Sequence, residues 1–252
     1  MNLIIDIGNT TTKVEFFKNN KVVISRKYKK LKLRFLEHLI SKYNIEKEID
    51  AVIMSTVSYY PDEVVLYLKK RYYFIFFDHD TSIPLKSLYQ TPETLGKDRL
   101  ASAVASNYLF PDQNILCVDM GTCIKYDFVN TKNEYCGGAI SPGINIRFKA
   151  LNTFTEKLPL IKSKKVNYLI GKNTEDSILS GVINGIILEI NGMITKYINI
   201  YPDLKVVLSG GDMKYFDKEL KISIFAVSNI VTLGLNIVLE FNKSATTKNK
   251  IN

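Results

Sequence analysis

The stretch Leu3–Phe17, LIIDIGNTTTKVEFF, decides the fold, and Leu116–Val129, LCVDMGTCIKYDFV, repeats it. Each copy is a short apolar run, then an Asp-x-Gly turn that carries threonine, then a second alternating run, which is typical of two strands joined by a tight turn. The repetition predicts two similar half-molecules, each with a carboxylate at the end of a buried strand. Paired turns of this kind can hold a nucleotide triphosphate and its metal between two domains.

The composition favours a globular protein without nucleic-acid or membrane partners. Hydrophobic residues make up 46% of the chain, which is ordinary for a packed core. The net charge of +9 suits nucleic acid, but only five of the 34 basic residues are arginine, and most lysines are scattered. The most apolar stretch, Ile178–Ile200, is interrupted by polar residues and predicts a buried helix, not a membrane span. The three cysteines form no Cys-x-x-Cys pair, which favours a reducing cytoplasm over zinc or disulfides.

The periodicities predict an α/β architecture with mixed sheets, because a meander of strands followed by alternating helices and strands occurs twice. Asn19-Asn20 predicts a hairpin turn. We predict an N-terminal domain over residues 1–114, a C-terminal domain over 115–243 and a flexible tail over 244–252. The predicted strands cover residues 2–6, 13–17, 22–28, 51–57, 73–77, 115–119, 125–129, 135–140 and 205–209, and the helices lie near 35–43, 61–68, 99–109, 146–151, 178–197 and 232–241.

The first turn combines the groups that phosphate binding requires. It offers a carboxylate, a glycine, amide and hydroxyl donors and a positive charge. Its residues are Asp6, Ile7, Gly8, Asn9, Thr10, Thr11, Thr12 and Lys13. These groups can hold phosphate oxygens while Asp6 faces a hydrated Mg²⁺. Alternatively, the turn only caps itself. Its repetition as Asp119-Met120-Gly121-Thr122 favours metal-dependent phosphoryl transfer, although a structural repeat with one inactive half is the other interpretation.

Gly96-Lys97-Asp98-Arg99 opens a predicted helix and provides a candidate base. The helix dipole favours an ionised Asp98, which can accept a proton from a substrate hydroxyl, and Arg99 can pair with a carboxylate or phosphate. The alternative is that Asp98 caps the helix and Arg99 is solvated. Gly96-Lys97 does not form a P-loop, because Asp98 stands where that motif needs Ser or Thr.

In their order along the chain, these motifs resemble the type III pantothenate kinases, members of the superfamily of actin-like proteins, sugar kinases and heat-shock ATPases. The resemblance spans nearly the whole chain. It implies two ribonuclease-H-like (actin-like ATPase) domains with mixed sheets, related by a pseudo-twofold duplication. The matching stretches are DIGNTTTK at Asp6–Lys13, Tyr89 followed by LGKDRLASAVA at Leu95–Ala105, VDMGTCIKYDF at Val118–Phe128, GGAISPG at Gly137–Gly143, NTEDSILSGVINGI at Asn173–Ile186 and LSGGD at Leu208–Asp212.

The resemblance implies phosphorylation of the primary hydroxyl of pantothenate by ATP, the first step towards coenzyme A, in a cytoplasmic homodimer. It implies that Asp6–Lys13 and Thr122 contact ATP, with Asp6 near Mg²⁺, and that Asp119 binds K⁺ or NH₄⁺. Asp98 is the implied proton acceptor. The implied pantothenate-binding residues are Tyr89, Gly96, Lys97, Asp98, Arg99 and Thr174, the last from the same or the neighbouring subunit.

Three positions depart from the family pattern: Lys125 often corresponds to Thr, Cys123 to Ala, and Thr91 to an Asn before the proline. Lys125 matters most, because it adds charge near the implied cation site. Two other functions are weighed against a kinase. One is a non-catalytic regulatory or accessory binding protein on the same fold, and the other is a metal nuclease that uses Asp6 with Glu15.

Overall fold

The computed structural model describes residues 1–216 and 224–248. The chain divides into two compact units, one formed by Met1–Leu109 with Asn229–Asn252 and the other by Phe110–Ser228. Each unit contains its own mixed sheet and its own hydrophobic core.

The first unit is built on a sheet with the strand order β3-β2-β1-β4-β5. β1 pairs antiparallel with β2 and parallel with β4, so it lies at the centre of the sheet. The β2–β3 hairpin turns at Asn19 and Asn20, both with positive φ, as a tight hairpin requires. The elements are β1 (Asn2–Ile7), β2 (Thr12–Lys18), β3 (Lys21–Tyr28), α1 (Leu33–Tyr43), β4 (Ala51–Thr56), α2 (Asp62–Arg71), β5 (Tyr73–Phe76), the short β6 (Lys86–Ser87) and α3 (Lys97–Leu109), with 3-10 turns at Glu46–Glu48 and Pro92–Thr94.

The second unit repeats this topology. Its strands follow the order β9-β8-β7-β10-β11, which matches β3-β2-β1-β4-β5 strand for strand. The predicted duplication and the mixed α/β sheets are therefore confirmed. The elements are β7 (Ile115–Met120), β8 (Cys123–Val129), β9 (Glu134–Pro142), α4 (Ile144–Thr153), α5 (Thr174–Ile200), β10 (Lys205–Ser209), a 3-10 turn at Met213–Tyr215 and β11 (Phe225–Ala226).

The helix α5 supplies one side of the second core. Its buried residues include Ile183, Ile186, Ile190 and Ile194, which cluster with side chains of β7, β8 and β10. Within the described residues, α5 is the one helix long and apolar enough to cross a membrane, and 44% of its most apolar window is buried inside the protein. Burial of this kind is typical of a core helix, so the length and composition of α5 are weak evidence for a membrane span.

The last helix, α6 (Ile230–Lys248), belongs to the first unit, so the predicted domain division is wrong at its C-terminal end. α6 packs against α3, β1 and β4. Thr232 donates to the buried carboxylate of Glu15, and the Asn2 amide donates to Asn236 Oδ1 over 2.8 Å. These buried hydrogen bonds join the end of the chain to the first hairpin.

The predicted tail over 244–252 is also corrected in part. Residues 244–248 continue α6, and 249–252 lie outside the described residues. The other domain boundary is close to the predicted one, because the second unit begins at Phe110.

Gly234 allows α6 and α3 to approach closely. A Cβ at this position would lie 1.8 Å from the carbonyl oxygen of Ala101. We expect Gly234→Ala to lower the free energy of unfolding by about 1–3 kcal/mol, the usual cost of overpacking. This loss should outweigh the gain of roughly 1 kcal/mol that alanine brings to a helix interior. Urea unfolding of the purified variant measures the change.

Ser244→Ala is the matched control, because Ser244 is exposed on the same helix. We expect it to stay within about 0.5 kcal/mol of the wild type. If Gly234→Ala were as stable as this control, the close approach of α6 to α3 would not constrain the fold.

Candidate active site

Two aspartates occupy equivalent positions in the two sheets. Asp6 on β1 is the register partner of Lys13 on β2 and of Ser55 on β4. Asp119 on β7 is likewise the partner of Lys125 on β8 and of Ser209 on β10. The correspondence extends to both neighbouring strands, so the two Asp-x-Gly turns are structural equivalents.

The first turn presents polar groups to solvent at the end of β1. The N–H of Gly8 donates to the Thr11 carbonyl over 3.0 Å, which closes the turn, and Asn9, Thr10 and Thr11 are exposed. Asp6 is half-buried behind them. A carboxylate oxygen beside a hydroxyl-rich turn is a donor set that suits Mg²⁺, which prefers oxygen ligands and keeps several waters.

Within residues 1–216 and 224–248, no group of three or more His, Cys, Asp or Glu side chains is placed to hold a metal ion. The one carboxylate at the first turn is the kind of ligand that Mg²⁺ uses when phosphates supply the rest of its coordination.

The second turn is enclosed by two glycine-bearing segments. Gly143 donates to the Thr122 carbonyl over 3.1 Å, and a Cβ on Gly143 would lie 2.3 Å from the Gly121 oxygen. Gly210 has a φ of 98°, and its Cβ would lie 2.1 Å from the Met120 oxygen. The glycine-rich exit of β9 and the Gly-Gly after β10 thus allow close backbone packing around the turn, while Thr122 remains exposed at its tip.

The monovalent-cation site that the resemblance implies at Asp119 does not fit the residues present. Lys125 Nζ lies 2.5 Å from Asp119 Oδ2. An ammonium group already neutralises the carboxylate that was expected to bind K⁺ or NH₄⁺, and a second cation there would meet like charge at close range. The binding of a monovalent cation by Asp119 stays a prediction from the resemblance, and Lys125 stands against it.

The Gly96–Arg99 segment opens α3 as predicted. The Gly96 carbonyl accepts from the N–H groups of Arg99 and Leu100, and Asp98 Oδ1 accepts from the Arg99 N–H over 2.9 Å. The second bond fixes the orientation of the Asp98 carboxylate at the first turn of the helix. A Cβ on Gly96 would lie 2.8 Å from Asp98 Oδ1, so glycine leaves room for that carboxylate.

Arg99 is buried, so the interpretation in which it is solvated is wrong. Its guanidinium carbon lies 5.6 Å from the ring centre of Tyr89, within the range of a cation–π contact. The structure thus brings together Tyr89 and Arg99, which are separated in sequence. Lys97 directs its ammonium to the Leu95 carbonyl at 3.5 Å.

Thr174 begins α5 in the second unit, next to a cavity of about 740 Å³. Asn173 caps the helix by accepting from the Asp176 N–H over 2.9 Å. The cavity is mostly apolar and is lined by Arg147, Ala150, Leu151, Leu158, Thr174, Ser177, Ile178, Gly181 and Val182.

Glu189 on α5 holds α4 and the β9 exit in place beside this cavity. It pairs with Arg147 and accepts from the Tyr126 hydroxyl over 3.0 Å. Arg147 also donates to the Pro142 carbonyl over 2.8 Å and to Ser141 over 2.9 Å. No motif in the sequence indicates this network, because its members are spread over β8, β9, α4 and α5.

The environment of Glu189 shifts two pKa values in opposite directions. Burial raises the pKa of Glu189, but hydrogen bonds from Arg147, Ser141 and Tyr126 outweigh burial and leave the pKa below its usual value. Burial, with the nearby negative charge of Glu189, raises the pKa of Tyr126 well above its usual value. Glu189 is therefore a carboxylate, and Tyr126 a neutral donor, at neutral pH.

The predicted site residues occur in both units. Asp6–Lys13, Tyr89 and Gly96–Arg99 lie in the first, and Asp119, Thr122 and Thr174 in the second. Glu15, the acid considered for a nuclease, accepts from Ser25 over 2.8 Å and from Thr232, so its contacts give it a structural role on β2.

The duplicated fold, with an Asp-x-Gly turn in each half, is the fold found in sugar kinases of known structure. A ROK family glucokinase from Streptomyces griseus, solved with glucose and AMPPNP, matches the fold with a TM-score of 0.51 and 9% identity, over 95% of this chain and 99% of that one. This likeness concerns the fold alone.

The sequence comparisons identify the family. A family model for type III pantothenate kinase matches residues 2–196. Type III pantothenate kinase from Christiangramia forsetii is 43% identical over 247 residues, covering 97% of this chain and 100% of the relative. That of Bacteroides fragilis strain YCH46 is 44% identical over 244 residues, covering 96% and 98%. The chain belongs to the type III pantothenate kinase family, whose members phosphorylate pantothenate with ATP in coenzyme A biosynthesis.

We expect Glu189→Gln to lower the free energy of unfolding by about 1.5–3 kcal/mol at pH 7, because it removes hydrogen bonds to a charged group. Since the folded-state pKa of Glu189 is lowered, the carboxylate stabilises the fold above its unfolded-state pKa near 4.5, and this contribution is lost as pH falls through the folded-state pKa. The difference in the free energy of unfolding between wild type and variant should therefore shrink as pH falls below the unfolded-state pKa near 4.5. Urea unfolding at several pH values measures it.

Glu156→Gln is the control, because Glu156 is exposed in the same unit. We expect a change within about 0.5 kcal/mol at every pH. If the difference in the free energy of unfolding between wild type and Glu189→Gln stayed constant across the acidic range, the lowered pKa of Glu189 would be contradicted.

Proposed function

We propose that Asp98 is the proton acceptor when this enzyme transfers the γ-phosphoryl group of ATP to the primary hydroxyl of pantothenate. The observation that carries the proposal is the fixed orientation of the Asp98 carboxylate, which accepts the Arg99 N–H at the first turn of α3. The hydroxyl oxygen forms the new bond to phosphorus, its proton passes to Asp98, and the bond from the γ-phosphorus to the bridging oxygen breaks to release ADP.

The residues around Asp98 suit the acceptor substrate, which carries both a carboxylate and hydroxyl groups. Arg99 and Lys97 provide positive charge, and the Arg99 guanidinium is positioned by the ring of Tyr89. Arginine binds carboxylates with defined geometry. We assign pantothenate binding to Tyr89, Gly96, Lys97, Asp98 and Arg99, with Thr174 at the start of α5 as a further contact.

The first turn provides the groups for ATP. The exposed Asn9, Thr10 and Thr11, with Lys13, would contact phosphate oxygens, and Thr122 at the second turn would contact the nucleotide. Asp6 would hold Mg²⁺ indirectly, through its waters. Mg²⁺, when bound, offsets the negative charge of the phosphate oxygens. The part played by the chain itself is to position the phosphates, which is most of what phosphoryl transfer requires of a protein.

We also propose that the enzyme is a homodimer that pairs through α5. Leu169, Ile170 and Leu188 are between 69% and 79% exposed and line one groove with Gly181 and Gly185. A Cβ at either glycine would meet nothing within 4 Å, so the helix surface there is open to close approach. An exposed apolar face of this kind can pair with the same face of a second copy across a twofold axis. We expect the dimer in the cytoplasm, where ATP is available.

Asp98→Asn should lower kcat by about 10²–10⁴-fold, the usual range when a general base is lost, with a smaller change in KM. Asparagine keeps the size of the side chain and the acceptor for the Arg99 N–H, but it cannot take the proton. The rate of ADP release that depends on pantothenate measures the effect. Asp203→Asn, an exposed aspartate of the second unit, is the control and should retain wild-type kcat.

Gly96→Ala provides a second test of the same carboxylate. Its Cβ would displace Asp98 Oδ1 and not the backbone, so we expect unchanged thermal stability. Because a displacement of about 1 Å at a reacting group can cost 10²-fold, kcat should fall towards that level. Wild-type turnover by Asp98→Asn would remove Asp98 from the role.

Leu188→Glu should convert the dimer to a monomer, because it places a charge in the proposed apolar interface. Light scattering after gel filtration should change from twice the chain mass of 28.7 kDa to that mass. Leu66→Glu is the matched control: Leu66 is 68% exposed on α2, against 69% for Leu188 on α5. A wild-type monomer, or a Leu188→Glu dimer, would refute the interface.

A further inference from the structure

The ion pair between Asp119 and Lys125 occupies the end of the central strand of the second sheet. The two residues are direct register partners on β7 and β8, and Lys125 Nζ lies 2.5 Å from Asp119 Oδ2. Their side chains are only 14% and 12% exposed, for Lys125 and Asp119 respectively. Solvent screens a pair of this kind much less than it screens a pair on the surface.

The strand pairing determines where the ammonium group lies. Adjacent residues on antiparallel strands direct their side chains to the same face of the sheet, so Lys125 has little freedom to leave Asp119. β8 is itself held between β7 and β9. The strand pairing therefore holds the ammonium group of Lys125 beside Asp119.

The backbone around this pair is closely packed. Met120 and Gly121 follow Asp119 directly, and their carbonyl oxygens lie against Gly210 and Gly143. The ion pair at Asp119 therefore lies next to the turn that carries Thr122, the residue assigned to ATP. This proximity gives the ion pair a route by which to influence nucleotide binding.

We propose that the ammonium group of Lys125 replaces the monovalent cation at Asp119, so that turnover by this kinase does not require K⁺ or NH₄⁺. The Lys125 side chain carries the same unit charge as either ion, and it contacts the carboxylate directly. Because it is tethered to β8, its occupancy does not depend on the salt in solution. The inference deepens the proposed function by specifying the ion requirement of the same site.

The test compares the wild type with Lys125→Thr and with the control Lys132→Thr, which removes an exposed lysine from the β8–β9 turn. Pantothenate-dependent ADP release is measured with the Tris salt of ATP and Mg²⁺. Choline chloride, KCl and NH₄Cl are compared at equal ionic strength. The wild type and Lys132→Thr should turn over equally in all three salts.

Lys125→Thr should lose activity in choline chloride and regain it in KCl or NH₄Cl. The gain should be about 5- to 150-fold, the range typical of coupling between an effector and a ligand. Melting temperature gives a second readout without substrate. KCl should raise the melting temperature of Lys125→Thr relative to choline chloride, and should leave the wild type and Lys132→Thr unchanged.

Three results would overturn the proposal: a wild-type rate that needs K⁺ or NH₄⁺, a wild-type melting temperature raised specifically by these ions, or full activity of Lys125→Thr in choline chloride. The first two use the unaltered protein and therefore hold even where Lys125→Thr does not fold.

Failure of the kinase assignment is seen separately, as an absence of wild-type turnover in every salt. In that event the melting temperatures still decide whether the ions bind.

Discussion

The register of the two central strands is the constraint on which the rest of the structure depends. β1 and β7 each pair antiparallel on one side and parallel on the other, so each is buried and cannot slip by one residue without moving its apolar side chains out of the core. This register places Asp6 and Asp119 at the strand ends. The Asp-x-Gly turns follow directly, and their orientation is set by the same hydrogen bonds that hold the sheets.

The two halves use this common frame differently. The first turn leaves Asn9, Thr10 and Thr11 exposed, which suits the binding of phosphate oxygens. The second turn is enclosed by Gly143 and Gly210, and its aspartate is paired with a lysine. A duplicated scaffold has thus produced one open turn and one turn packed closely against glycines, so equivalent residues have different surroundings.

Helix α6 shows how a domain can be completed by residues far away in sequence. Its contacts with Glu15 and Asn2, and the close approach of Gly234 to Ala101, join the end of the chain to the first hairpin and to α3. α3 also begins with Asp98. The position of Asp98, the proposed base, therefore depends on the C-terminal helix. A change in the packing of α6 against α3 would move the start of α3.

The sequence by itself determined the strands, most of the helices, the duplication, the family and the residues of the Gly96–Arg99 segment. These features rest on local periodicity, on glycine in tight turns and on motif order, all of which a linear chain displays. Only the tertiary structure decided that α6 joins the first unit, that Arg99 is buried against Tyr89, and that Glu189 links α4, α5 and the β9 exit.

Only the tertiary structure decided where the charge of Lys125 lies. The sequence showed a lysine where relatives often have threonine, but not whether its charge pointed to solvent or to Asp119. That choice depends on strand register and burial, which are long-range properties. Separating two largely buried charges would leave each one uncompensated, so the fold keeps the lysine on β8 beside Asp119 as its counter-ion.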